Sequence, residues 1–185
     1  FSWDLTFFGF ADIPLFTDPG WLAFRTVIVG TFLSVAGLSQ ILSMRNGFRP
    51  RPFFKRLATV AAIAVAITLV TARIFPDGFI FFGILHNLAV ASVLVLLFAA
   101  LPAIAVTLIA VGFIAAPAFL AYPVFDHPWL QWIGLMTQIA NSVDYVPIFP
   151  WFGVVLLGVA LGRLITARPS TAMAVLAEWS PAGRS

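Results

Sequence analysis

Cysteine is absent from the chain, and charge is scarce: Asp, Glu, Lys and Arg together make up 9% of its 185 residues, against about 25% in soluble domains. Without cysteine there is no disulfide scaffold and no cysteine-ligated zinc ribbon. The shortage of charge accompanies 62% apolar residues and a mean hydropathy of +1.06. That combination excludes a disordered chain and an ordinary soluble globule, because a soluble domain of this size must cover a large surface with polar groups. Also missing are a Gly-rich phosphate loop, a helical His-Glu-x-x-His pair and a Gly-x-Ser-x-Gly nucleophile elbow. No metal is expected. The net charge of +3 and pI near 10.2 do not point to nucleic acid, because the basic residues lie between apolar stretches rather than on a polar surface. The solvent implied for most of this chain is lipid.

Asp, Glu, Lys and Arg are missing from Thr26 to Met44, Leu57 to Ala72, Gly78 to Phe125 and Tyr145 to Gly162. The third run is too long for one span, and Leu101-Pro102 near its middle favours a break between two helices. The chain therefore reads as an all-α, polytopic transmembrane bundle with about five spans, near 22–44, 53–75, 79–100, 102–121 and 147–167. Strands are not expected, since Ala58–Val70 and Leu88–Ala100 are continuously apolar and lack the alternation of a membrane barrel. Residues 1–185 read as a single membrane domain. The chain opens on Phe1 without a basic, apolar and small-residue leader, so a fragment or trimmed chain is expected.

The stretch Arg45 to Arg56 holds half of the Lys and Arg residues and no acid, which places it in the cytoplasm. Alternation then puts 75–78 and 122–147 outside, together with Asp4, Asp12, Asp18, Asp77, Asp126 and Asp144. Arg25 and Arg73 fall near outer helix ends, where long side chains snorkel. The basic stretch has two readings. One is topology plus attraction to anionic lipid. The other is donor binding, with Arg45, Arg49, Arg51, Lys55 and Arg56 holding the phosphates of a coenzyme A ester.

His86 lies eight residues after Gly78, roughly 12 Å below an outer helix end if the intervening chain is helical. An imidazole at that depth needs a partner, and its ordinary pKa suits proton transfer. The alternative is an interhelical hydrogen bond. Asn87 follows it, and Gly83 one turn earlier leaves room on the same face. Asp144 lies at the mouth of the same outer half and is read with His86 as a catalytic pair; equally, its segment reads as membrane re-entry, with Tyr145 and Trp151 in the interfacial belt. His127 reads as an interfacial loop residue.

Three blocks carry a resemblance: Phe1-Ser2-Trp3-Asp4-Leu5, Phe81-Phe82-Gly83-Ile84-Leu85-His86, and Asp144-Tyr145-Val146-Pro147-Ile148-Phe149-Pro150-Trp151-Phe152-Gly153. They resemble the bacterial branch of the heparan-α-glucosaminide N-acetyltransferase catalytic-domain family, over most of the chain. That resemblance implies a multi-helix bundle in a bacterial inner membrane that moves an acetyl group from cytosolic acetyl-CoA to an amino sugar across the membrane. It also implies a further helix and the family's active-site histidine upstream of Phe1, and more helices after Trp179. The expected activity is that of a transmembrane N- or O-acyltransferase, with acetyl-CoA or another acyl-CoA as donor and an outward-facing sugar or glycan as acceptor. Trp3, Asp4, Asn87 and Tyr145 are assigned to acceptor binding. A proton-coupled transporter component and a structural membrane subunit are the competing readings, and association of chains into a homo-oligomer is left open.

Overall fold

The computed structural model describes residues 18–167 other than 75, 77, 139–141 and 143. Five α-helices carry the architecture: α1 Pro19–Ser43, α2 Pro50–Ile74, α3 Ile84–Phe98, α4 Ala103–Leu120 and α5 Ile148–Ala167. Two 3-10 turns, Pro123–Asp126 and Gln131–Ile133, lie between α4 and α5, and no strand occurs among the described residues. Helices α1, α2, α4 and α5 are each long and apolar enough to cross a membrane. The chain is an integral membrane protein.

Local chemistry explains the helix limits. At α1, the Asp18 carboxylate accepts from the Trp21 amide at 2.7 Å and Pro19 supplies a pre-set backbone angle. Pro102 separates α3 from α4. Two expectations change. Helix α2 starts at Pro50, so Arg51, Lys55 and Arg56 are helical residues rather than part of a loop. The helix expected over 79–100 covers only Ile84–Phe98, 15 residues or about 22 Å, which is short of a typical hydrocarbon core.

The missing length of α3 is an extended strap, Phe79–Gly83, that descends along α2. The Thr68 hydroxyl donates to the Ile80 carbonyl at 2.7 Å, and the Ile80 amide donates to the Thr71 hydroxyl at 3.1 Å. The Val146 amide donates to the Phe82 carbonyl at 3.0 Å, and Ser142 Oγ donates to the Phe79 carbonyl at 3.0 Å. Non-helical backbone is tolerated at membrane depth where protein supplies such partners. Thr68 lies six residues before the end of α2, so the strap reaches about 9 Å below that end.

Helix α5 is central and packs against α4, α1 and α3, whereas α2 meets the rest mainly through α3 and buries only Ala64. Leu33, Val95, Val106, Val146, Phe152, Leu156 and Val159 form the sealed centre. At Gly37 and Gly158 the backbones of α1 and α5 approach so closely that an added Cβ would strike the Val155 carbonyl or the Ser34 carbonyl. Lipid supplies no hydrophobic force between helices, so this close fit is a source of their association. One end of the bundle gathers Met44, Arg45, Ala99, Arg163 and Thr166 around one hollow. The other end carries the strap and the segment from Ala121 to Pro147.

Candidate active site

His86 is the third residue of α3, and both ring nitrogens are engaged. The Gly83 amide donates to Nδ1 at 3.3 Å, and Nε2 lies 3.1 Å from the Thr68 hydroxyl oxygen. Because the Thr68 proton is directed to the Ile80 carbonyl, Thr68 can only accept from the ring. Nε2 therefore carries the proton and Nδ1 the lone pair. The strap brings His86 to the level of Thr68, so its depth is reached without the helical descent from Gly78 that the sequence suggests.

Asp144 occupies the next amide along. Its Oδ2 accepts from the Ile84 N–H at 3.0 Å, and its Oδ1 lies 3.4 Å from Arg25 Nη2. A carboxylate remote in sequence thus stabilises the N-terminal end of α3. Gly83 makes that approach feasible, since a Cβ there would collide with Asp144 Oδ2 and with the Ile80 side chain. Asp144 and His86 take consecutive backbone N–H groups and share no hydrogen bond with one another.

Asn87 is fully buried, and its Nδ2 donates to the Val146 and Pro147 carbonyls at 3.1 and 2.8 Å. Its Oδ1 is enclosed without a partner among the described residues. Tyr145 donates from its hydroxyl to the Gln131 carbonyl at 2.6 Å, and its ring packs against Phe81 with centroids 5.6 Å apart. Burial pushes the phenol pKa up to about 12, so Tyr145 remains a neutral donor at physiological pH. Trp3 and Asp4 lie outside the described residues.

Sequence reasoning missed three members of this cluster. Thr68 and Thr71 were detectable as two hydroxyls three residues apart within the charge-free run from Leu57 to Ala72. Arg25, read as a snorkelling cation, pairs with Asp144. Farther out, Asp126 organises the loop after α4 by accepting from Thr137 Oγ1 at 2.6 Å, the Thr137 amide at 2.7 Å and the Gln138 amide at 3.4 Å. The Thr137 hydroxyl, followed by its amide, holds the Asp126 pKa below the usual carboxylate range. His127 is an exposed loop residue whose Nδ1 accepts from the Trp129 amide at 3.4 Å.

The basic residues divide between two spaces. A cavity of about 270 Å³ lies between α1, α2 and α3. Arg49 and Arg56 line it, with Phe53, Leu57 and Val60 from the same face of α2 and Leu88 and Ser92 from α3. Gln40 closes another side and donates from Nε2 to the Ser92 carbonyl at 2.7 Å. Arg51 and Lys55 are not among its lining residues, because helical geometry turns them off the stripe that holds 49, 52, 53, 56, 57 and 60. Arg45 lines a different hollow, together with Arg163. Among the described residues no group of three His, Cys, Asp or Glu side chains is placed to hold a metal ion.

A family model described as "Heparan-alpha-glucosaminide N-acetyltransferase, catalytic" matches residues 1–183. No curated protein and no solved structure matches the chain.

Proposed function

Because the chain belongs to the heparan-alpha-glucosaminide N-acetyltransferase catalytic-domain family, a family of membrane acetyltransferases, we propose that it transfers an acetyl or other acyl group from acyl-CoA to a sugar or glycan. In this reading the basic end faces the cytoplasm and takes the donor, and the end carrying Asp144 and the strap faces outward and takes the acceptor. The observation that carries it is the reach of the cavity. It is flanked by Arg49 and Arg56 at the basic end and extends along α3 to Leu88, two residues from His86. Donor phosphates would sit at the two guanidinium groups and near the N-terminus of α2, whose first turn contains no acidic residue. The acyl-bearing arm would follow the apolar wall toward α3.

The acceptor amine or hydroxyl attacks the thioester carbonyl, a base takes the acceptor proton, and coenzyme A leaves as the thiol once it regains a proton. His86 suits the base role at one atom. Thr68 holds the proton on Nε2, so the lone pair is on Nδ1, where a long amide contact of 3.3 Å is the bond an acceptor would displace. Asp144 acts through position, holding the N-terminal end of α3 and Arg25 in place. Asn87 and Tyr145, read as acceptor-binding, tie the segment before α5 to α3 and to the turn at Gln131.

Acetyl-CoA titration of the protein in lipid nanodiscs tests the donor half. Replacing Arg49 and Arg56 by Gln is expected to weaken binding by about 1–3 kcal/mol, while replacing Arg51 and Lys55 by Gln leaves it near the parent value. Equal losses from the two pairs would refute the cavity as the donor site.

A further inference from the structure

We propose that the hollow between the ends of α1, α3 and α5, walled by Arg45 and Arg163, binds a phosphate group. This site is separate from the donor cavity and does not rest on the donor reading. The hollow measures about 330 Å³ and shares only Met44 and Phe48 with the cavity that Arg49 and Arg56 line. Its two charged lining residues are both arginines, and among the described residues no acid lines it. Arg163 Nε is enclosed and has no hydrogen-bond partner among the described residues. That nitrogen is sealed from the hollow, so the rest of the guanidinium is what can meet a ligand there, and two cations around one space repel each other unless an anion lies between them. Thr166, on the same wall, directs its hydroxyl proton to the Arg163 carbonyl at 3.1 Å, which leaves the guanidinium groups as the charged donors. A phosphate supplies what this arrangement lacks: negative charge, and several oxygens matched to guanidinium forks.

The site lies at the helix ends, the level at which a spanning protein meets lipid headgroups, so an anionic phospholipid is the expected carrier. Inorganic phosphate has the same recognition chemistry, and the test separates the two sources. Native mass spectrometry of the protein released from phosphatidylglycerol nanodiscs reads retained lipid; thermal unfolding in neutral detergent with added inorganic phosphate reads the free ion. Arg45→Gln removes an exposed cation with little risk to folding, and Arg163→Gln removes the half-buried one. For the lipid source, both variants retain phosphatidylglycerol at least tenfold less than the parent, whereas Arg51→Gln retains it normally. For the free source, inorganic phosphate stabilises Arg45→Gln and Arg163→Gln less than it stabilises the parent and Arg51→Gln, whose position lines neither space. Either pattern supports the site and identifies the carrier. If Arg45→Gln matches the parent in both measurements the proposal is overturned, whatever acetyl-CoA titration shows for the separate donor cavity.

Discussion

Replacing His86 by Gln keeps a side chain that can bond to both Thr68 and the Gly83 amide but cannot take up a proton near neutral pH. With Nδ1 as the base, His86→Gln is expected to unfold at nearly the parent temperature and to lose roughly 10²–10⁴-fold in turnover. His86→Leu leaves the Gly83 amide without its acceptor and is expected to lose about 1–3 kcal/mol of stability as well. Normal turnover in the Gln variant would reduce His86 to a brace for the strap. Asp126 presents a different residue-scale case, because its charge holds a loop rather than a reacting atom. Its folded pKa is depressed, so its stabilisation is present above the unfolded value near 3.9 and is lost as pH falls through the folded value. Exchange protection at the Thr137 and Gln138 amides is expected at pH 7, to fade on acidification below the usual carboxylate range, and to be absent at pH 7 in Asp126→Ala. Protection unchanged in that variant would show that the carboxylate does not organise the loop.

At the scale of the helix, the same substitution is expected to have opposite effects in α5 and α4. In Gly158→Ala the new Cβ meets the Ser34 backbone, which cannot rotate away as a side-chain tip can. A loss of about 1–3 kcal/mol is expected from the resulting separation of α1 and α5. Gly112 in α4 has nothing within 4 Å of the corresponding position, so Gly112→Ala is expected to be neutral or to gain up to about 1 kcal/mol from the restricted unfolded chain. Thermal unfolding of both variants in one detergent checks the contrast, and comparable losses would remove the close α1–α5 approach as a source of stability. The strap belongs to this scale too. Its sequence, Phe79-Ile80-Phe81-Phe82-Gly83, is as apolar as a helix of the bundle, so hydropathy extends the span through it. Its backbone is extended because Thr68, Thr71, Ser142 and Val146 supply hydrogen-bond partners from other segments.

Across the whole molecule, the alternation of the helices places the 44–49 connection and Asp126 at opposite ends of the bundle. Since the chain has no cysteine, single cysteines at positions 49 and 126 can be labelled in intact cells with an impermeant maleimide. Labelling is expected at 126 and absent at 49. Reaction at 49 from outside would reverse the proposed orientation and move the donor cavity to the wrong face. Packing is uneven: α5 is enclosed by α1, α3 and α4, while α2 is largely uncovered by the described residues apart from its face toward α3. The cavity lined by Arg49 and Arg56 lies along that loosely packed side, away from the sealed centre around Phe152.

Five apolar segments, the break at Leu101-Pro102 and the clustering of basic residues beyond α1 were legible in the sequence, because lipid reads hydropathy and charge one segment at a time. His86, Asn87 and Asp144 were legible for the same reason: polar groups stand out in or beside an apolar run. What joins them was not. Whether Arg56 or Lys55 lines the cavity depends on the start and rotation of α2, a matter of a few residues that hydropathy does not resolve. The pairing of Arg25 with Asp144, the assignment of the His86 proton by Thr68 and the choice of strap over helix at 79–83 depend on groups far apart in the chain. Such contacts exist only once α1, α2, α3 and the segment before α5 have packed, so the tertiary structure alone decided them.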